Sequence, residues 1–200
     1  MPKVSFSKFA LQKERAQLKR YKQYLPSLDL KRQQLVIERA KAMANLSGTE
    51  QKIVDCYAIV EQQLPMLSGE YIDLKGLVRV KRVELSEENR VGVKLPYIKQ
   101  IELELMPYSL LSKPHWVDFL VIQLKAMLEL KLQLQLEQKR LEILQHAVKK
   151  VTQRVNLFDK VLIPRAQNNI RKIQVFLSDM ERAAVVRAKI TKKNRLKEFL

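Results

Sequence analysis

The strongest constraint on the fold is an apolar repeat, in steps of three and four residues, that fills both ends of the chain. In the C-terminal part it runs almost unbroken from Met127 to Leu162, and in the N-terminal part it runs from Leu11 to Val60. This spacing keeps apolar side chains on one side of a helix and is typical of coiled coils. Because only 4 of the 200 residues are glycine, the pattern predicts two very long helices.

A helix with one narrow apolar stripe has to bury that stripe against a partner. The economical solution is an antiparallel coiled coil of the N- and C-terminal helices of one chain, and a parallel homodimer is the alternative pairing. At 1.5 Å per residue the two helices would span roughly 85 Å and roughly 125 Å, so they are unequal. We expect the coiled-coil seam to contain these residues: Leu11, Leu18, Leu25, Leu35, Leu141, Leu144, Val148, Val151, Val155, Leu162 and Ile173.

Two prolines and one glycine interrupt these patterns. Pro26 and Gly48 lie inside the first repeat, where a break or bend near Gly48 is conceivable, and Pro65 is expected to end the first helix soon after Gln63. Pro164 lies inside the second repeat, where Leu162, Ala166 and Ile170 follow in two successive steps of four. Such a stutter relaxes a left-handed supercoil, so a kink at Pro164 is compatible with the pattern.

The middle of the chain has a different character and predicts a small β-hairpin. Residues 77–85 alternate and are rich in β-branched residues, residues 86–90 predict a polar turn, and residues 91–95 a returning strand, with a third strand conceivable at 98–105. The predicted fold class is therefore mainly α: a long antiparallel two-helix coiled coil with a β-hairpin segment between the helices. The expected segments are 1–64 for the N-terminal helix, 65–113 for the connecting segment and 114–200 for the C-terminal helix, all in one structural unit.

The residues needed for catalysis or cofactor binding do not occur in recognisable patterns. The glycines never approach the spacing of a phosphate-binding loop, and one cysteine with two histidines cannot provide a closed zinc site. Cys56 falls on the first seam and predicts a small buried hydrophobe, while Trp116 predicts a packing anchor. We therefore expect no catalytic, cofactor-binding or metal-binding residue and no cofactor. No stretch has the length of a signal peptide or membrane span, which predicts no direct membrane insertion.

A formal net charge of +17 indicates an anionic partner. A basic coiled coil that binds nucleic acid is one hypothesis, and a protein that contacts acidic or carbonyl-lined protein surfaces is the other. The C-terminal stretch has no interleaved aromatic residues for base stacking, which favours the second hypothesis. Seven C-terminal residues are the candidate contacts: Arg182, Arg187, Lys189, Lys192, Lys193, Arg195 and Lys197.

Several blocks resemble one family over the whole chain. The segments RVNL (154–157), VLIPR (161–165) and MER (180–182) resemble the C-terminal signature of the D subunits of V-type and A-type ATPases. The segment GVKLP (92–96) resembles that family's return strand, and the spacing of Leu11, Leu18 and Leu28 resembles its N-terminal helix.

The resemblance implies a non-catalytic central-stalk subunit, the axle of a rotary motor. It implies that the paired terminal helices enter a hexamer of A and B subunits, and that the opposite end meets the F subunit and the C (or d) subunit on the membrane ring. The axle would couple ATP synthesis or hydrolysis to proton or sodium transport. Such a protein would be cytoplasmic and peripheral to the membrane, and it would not bind nucleic acid.

Overall fold

A computed structural model describes residues 5–68, 76–107 and 114–198, without the side chains of residues 68 and 196–198. The helices and strands are α1 (Lys8–Gln63), β1 (Val78–Arg90), β2 (Val93–Leu105), α2 (Trp116–Asn156) and α3 (Ile163–Glu198). A 3₁₀ turn, Pro65–Ser68, follows α1, and a π-helical segment, Leu157–Leu162, joins α2 to α3. The mainly α fold with an inserted hairpin is confirmed.

The chain divides into two compact units. The terminal unit contains residues 1–32 and 150–200, and the central unit contains residues 33–149. Each unit contains residues from the N-terminal and from the C-terminal helical segment. The two units therefore do not coincide with the three expected sequence segments. Those segment boundaries, and their union in one structural unit, stay predictions.

Helix α1 runs without interruption past both Pro26 and Gly48. Its first turn is capped by Ser7, whose Oγ accepts a hydrogen bond from the Ala10 amide at 3.1 Å. The helix ends at Gln63, two residues before Pro65, which confirms the predicted stop. Helix α2 begins at Trp116, two residues after the start of the expected segment 114–200.

The central unit contains the main apolar cluster. Its members come from the residue after α1, the residue before β1 and the start of α2: Leu64, Leu77, Trp116, Val117, Leu120 and Val121. Trp116 is 7% exposed, which confirms its role as a packing anchor. Cys56 is also buried, as predicted, and its Sγ lies 3.6 Å from Gln123 Oε1 on α2. Residues near 56 of α1 therefore meet residues near 123 of α2 in this unit.

The β-hairpin differs from its sequence prediction in where it turns. β1 and β2 form a two-stranded antiparallel sheet in which Arg90 pairs with Val93, so the loop is only Val91-Gly92. The predicted turn at 86–90 is wrong because these residues pair with residues 93–97, and the segments 91–95 and 98–105 contribute to one strand, not two.

The geometry of the loop explains the error. A two-residue hairpin turn of type I′ requires positive φ at both central residues, and the φ values are 54° at Val91 and 74° at Gly92. The polar stretch stays in the strand because it finds partners there: Glu87 forms an ion pair with Lys94 across the sheet at 3.1 Å. Two irregularities in register, after Val80 and after Glu84, interrupt the ladder.

Candidate functional site

In the terminal unit, the start of α1 and the residues just before it pair antiparallel with α3 and with the π-helical segment that precedes α3. The Phe6 and Phe176 rings lie 5.0 Å apart, and Asn169 Nδ2 donates a hydrogen bond to Glu14 Oε1 at 3.2 Å. Further along, Tyr21 meets Phe158 edge to face at 5.5 Å. As the residue number rises along α1, the number of its partner falls, which is the signature of antiparallel packing.

The residues expected in the seam are all buried or half-buried. Leu35 and Ile173 are 0% exposed, and Leu144 is 1% exposed. Val151 and Val155 are buried as well, and the remaining six are half-buried: Leu11, Leu18, Leu25, Leu141, Val148 and Leu162. No contact identifies which of these side chains interlock, so their joint assignment to one coiled-coil seam stays a prediction.

The π-helical segment Leu157–Leu162 lies immediately before Pro164. The Ile163 amide donates to the Phe158 carbonyl, five residues back, in place of the usual four. A π turn inserts one extra residue into a helix, which changes the spacing of the apolar stripe. This widened turn lies where the stutter at Leu162, Ala166 and Ile170 begins. It also precedes Pro164, which has no amide hydrogen to donate.

Helix α3 continues past the start of α1. The ion pair between Lys8 Nζ and Glu181 Oε1, at 3.6 Å, joins the first residue of α1 to α3. Beyond Glu181, every described side chain up to Arg195 is exposed. We call residues 182–195 the overhang.

The overhang combines cations with exposed apolar side chains. It contains six Lys and Arg residues and no Asp or Glu: Arg182, Arg187, Lys189, Lys192, Lys193 and Arg195. Val185, Val186 and Ile190 are each more than half exposed. These six cations are the predicted contact residues; the seventh, Lys197, lies in α3, but its side chain is outside the described residues.

The basic character extends far beyond the overhang. The terminal unit contains 22 Lys and Arg residues against 6 Asp and Glu, whereas the central unit contains 16 against 15. The terminal unit therefore carries +16 of the net charge of +17. The sequence interpretation singled out only the C-terminal stretch; adding the charges of the first helix to those of its partner would have identified the rest.

A groove of about 520 Å³ lies between the two helices of the terminal unit. Lys13, Glu14 and Tyr21 of α1 line one side, and Arg165 and Asn169 of α3 line the other. The lining also includes two alanines, Ala10 and Ala166, the second of which is buried. The small alanine side chains leave space between the helices where larger residues would close it.

In the central unit, the hairpin tip lies against both helices. Glu88 Oε1 is 2.6 Å from Arg90 Nη2, and Glu88 Oε2 is 3.8 Å from Arg140 Nη2 on α2. The hydrogen bond from Arg90 to Glu88, together with the charge of that carboxylate, raises the pKa of Arg90. Leu95, which pairs with Glu88 across the sheet, is 1% exposed and lines a second groove with Leu144. The tip is thus anchored by one buried leucine and a small ion-pair network.

Within the described ranges, no cluster of three or more metal-ligating side chains occurs. The helices described here include none that is both long and apolar enough to cross a membrane.

These features define a class: an antiparallel two-helix coiled-coil protein with an inserted β-hairpin and a strongly basic terminal unit. The family model for the D subunit of ATP synthases matches residues 10–193. The chain is 36% identical to the D subunit of the V-type ATP synthase of Borreliella burgdorferi, over 99% of this chain and 98% of that protein. It is 35% identical to the corresponding protein of Chlamydia abortus, over 95% of this chain and 92% of that one. The chain belongs to the family of ATP synthase D subunits.

Proposed function

We propose that this chain is the non-catalytic central-stalk subunit, the rotor axle, of a V-type ATPase. In this role the terminal unit enters the hexamer of A and B subunits, and rotation of the chain couples ATP synthesis or hydrolysis to proton or sodium transport. The F subunit and the subunit that links the stalk to the membrane ring contact the chain outside the hexamer. The chain is then cytoplasmic and attached to the membrane only through its complex.

The overhang is the observation that carries this proposal. A single helix that projects past its partner, with exposed side chains on all sides, buries no apolar surface of its own. Val186 and Ile190 lie four residues apart on one face of that helix, and the six cations surround them. Such a segment gains stability by insertion into a surrounding, electronegative protein surface.

The two-helix architecture suits mechanical work as well. Torque is transmitted best by long helices whose side chains interlock with a partner, and α1 alone comprises 56 residues. An axle also has to present different surfaces to chemically identical sites. Two unequal helices, one of which carries a π-helical segment, provide such an asymmetric surface. Coupling then depends on contacts that differ between the states of the hexamer.

The test is reconstitution of the full-length chain with its A/B hexamer and stalk partners, with ATP turnover and rotation as the readouts. We expect the complete chain to support rotation that is coupled to ATP turnover. A chain that never associates with the hexamer would contradict the axle proposal. A shortened chain that lacks residues 182–200 should assemble but couple poorly, and full coupling would show that the overhang does not work inside the hexamer.

Charge-matched variants test the overhang without shortening it. One variant replaces four overhang cations by glutamine: Arg187, Lys189, Lys192 and Lys193. Its control replaces four exposed lysines of the central unit: Lys52, Lys81, Lys99 and Lys131. We expect weaker coupling only in the overhang variant, and equal losses in both would mean that net charge alone matters.

Binding of nucleic acid is the competing hypothesis, and the excess charge of the terminal unit is the observation that favours it. It predicts an affinity that falls steeply with salt concentration, because phosphate contacts release counterions. Family membership weighs against it, and absence of binding to duplex and single strands at low salt would remove it.

A further inference from the structure

The groove of the terminal unit has an electrostatic character that the axle role alone does not explain. Two cationic side chains line it, Lys13 from α1 and Arg165 from α3. Both are exposed, and among the described residues neither has an ion-pair partner. The one acidic residue of the lining, Glu14, already accepts a hydrogen bond from Asn169.

The groove, at about 520 Å³, has room for a side chain that protrudes from a partner surface. Ala166 is 3% exposed and provides a buried part of the lining, and Ala10 adds only a methyl group. Tyr21 and Leu162 supply apolar surface, and Phe9, which is 77% exposed, lies at the rim. An acidic side chain with its short apolar stem would contact both the apolar lining and the two cations.

The groove lies next to the π-helical segment Leu157–Leu162. Leu162 is the last residue of that segment, and Arg165 follows it by less than one turn. Because the widened turn shifts the stripe of α3 by one residue, the side chains after it face α1 in a new register. π turns occur frequently at functional sites, which agrees with a binding role for this position.

We propose that the groove receives a carboxylate side chain, Asp or Glu, from an acidic segment of the A/B hexamer. This inference rests on the proposed axle role and deepens it by assigning a specific contact. Charge complementarity identifies the occupant: the terminal unit has 22 cationic against 6 acidic residues, and the cations of the groove are unpaired within the described part of the chain. An ion pair at this position would orient the axle within the hexamer. Because exposed ion pairs are weak, it would not bind the axle so tightly that rotation stops.

Zero-length crosslinking with a carbodiimide tests the contact directly. The carbodiimide adds to a carboxylic acid to form an O-acylisourea, and the Lys13 amine attacks its acyl carbon. An amide bond forms, and the reagent leaves as a urea that carries away the elements of one water. The full-length chain is assembled with its A/B hexamer, treated, digested and analysed by mass spectrometry. We expect a crosslink between Lys13 and an Asp or Glu of the hexamer, and we expect Lys13→Arg, which keeps the charge but cannot form the amide, to abolish it.

A charge-matched pair of variants provides the second readout. The groove variant combines Lys13→Gln with Arg165→Gln, and the control combines Lys19→Gln with Arg171→Gln, two exposed cations of the same helices that do not line the groove. We expect the groove variant to bind the hexamer about fivefold more weakly and to depend less on salt than the control. Both variants should keep the helical content of the unmodified chain.

The outcomes separate this inference from the axle proposal. If the chain assembles and couples, but Lys13 forms no crosslink with the hexamer and the two double variants bind equally, the groove contact is wrong and the axle role stands. If the chain fails to associate with the hexamer at all, both proposals fall.

Discussion

The terminal and central units share the same pair of sequence repeats but use them differently. The terminal unit has no hairpin and ends in an exposed overhang, and it holds +16 of the net charge. The central unit is close to neutral and adds to its helices an apolar cluster and an anchored β-hairpin. The comparison teaches that the excess of basic residues and the main apolar cluster of the described residues lie in different regions of the chain.

This difference follows from how apolar surface is distributed. In the terminal unit, burial declines along α3: Ile173 is fully buried, Leu177 is half-buried, and Met180 is 50% exposed. In the central unit, three residues within two turns of α2 are all buried: Val117, Leu120 and Val121. A helix pair that buries one narrow apolar stripe leaves most of its surface exposed. The apolar cluster of the central unit joins three segments of the chain and so stabilises that unit.

The largest effect should come from a charge placed at a buried position in either unit. Leu144→Asp in the central unit and Val155→Asp in the terminal unit each bury an unpaired carboxylate. We expect a loss of about 3–4 kcal/mol in the free energy of unfolding for both, measured by urea titration with circular dichroism. Val175→Asp, at a position that is 56% exposed, is the control and should change little. Wild-type-like unfolding of either variant would refute the seam assignment in that unit.

A core truncation in the central unit should rank second. Leu120 is 4% exposed in the apolar cluster, and Ile122, two residues away on the same helix, is 64% exposed. We expect Leu120→Ala to cost about 3 kcal/mol and Ile122→Ala to cost much less, since only the first leaves a cavity. Hydrogen exchange should show the loss of protection mainly at residues of the central unit. Equal destabilisation by both variants would contradict the view that this cluster carries the stability of the unit.

Much of the fold could be predicted because, in a helix with a single apolar stripe, the spacing of apolar residues in the sequence marks the buried side. The N-terminal repeat predicts the half-buried and buried positions of α1 well, from Leu11 through Leu35 to Val60. Arg39 is an exception: it fits the spacing but is exposed, while the neighbouring Glu38 is half-buried. The hairpin turn was mispredicted because a valine at positive φ leaves no signal in the sequence.

The candidate site was less accessible to sequence reasoning. The cations of the overhang stand out because they are close together in the sequence. Lys13 and Arg165 are 152 positions apart and line one groove only when the helices pair. The anchoring of the hairpin tip by Glu88 and Arg140 is likewise a consequence of tertiary packing. Local composition reveals a run of charge, whereas a groove depends on which residues face each other.

The two helix prolines of the terminal unit should differ in their effect on stability. Pro26 lies in uninterrupted α-helix and leaves the carbonyl of Lys22 without its usual donor, whereas Pro164 follows a π turn that already departs from the regular ladder. We expect Pro26→Ala to stabilise by about 2 kcal/mol, after allowance for the stiffer unfolded chain of the proline form. Pro164→Ala should change stability by less than about 1 kcal/mol. Thermal unfolding of both variants is the measurement, and a larger gain at Pro164 would mean that the π turn does not relieve the proline.

The smallest effect concerns the tip of the hairpin, where the central unit holds a strained residue. Val91 adopts a φ of 54°, a left-handed conformation that is unfavourable for a β-branched side chain by about 1 kcal/mol or more. Asparagine tolerates this conformation, and Asn-Gly is the preferred pair for such a turn. Val91→Asn should therefore stabilise the hairpin by about 1 kcal/mol, seen as slower amide exchange in β1 and β2.

Val93→Asn is the matched control for that variant, because Val93 is also half-buried but lies in β2 and not in the loop. It should not stabilise the hairpin, since asparagine is disfavoured in strands. If both variants slowed exchange equally, relief of strain at Val91 would not be the cause. We expect Val91→Asn to leave amide exchange and stability in α3 unchanged. That result would show that a change in the hairpin of the central unit does not alter the stability of the terminal unit.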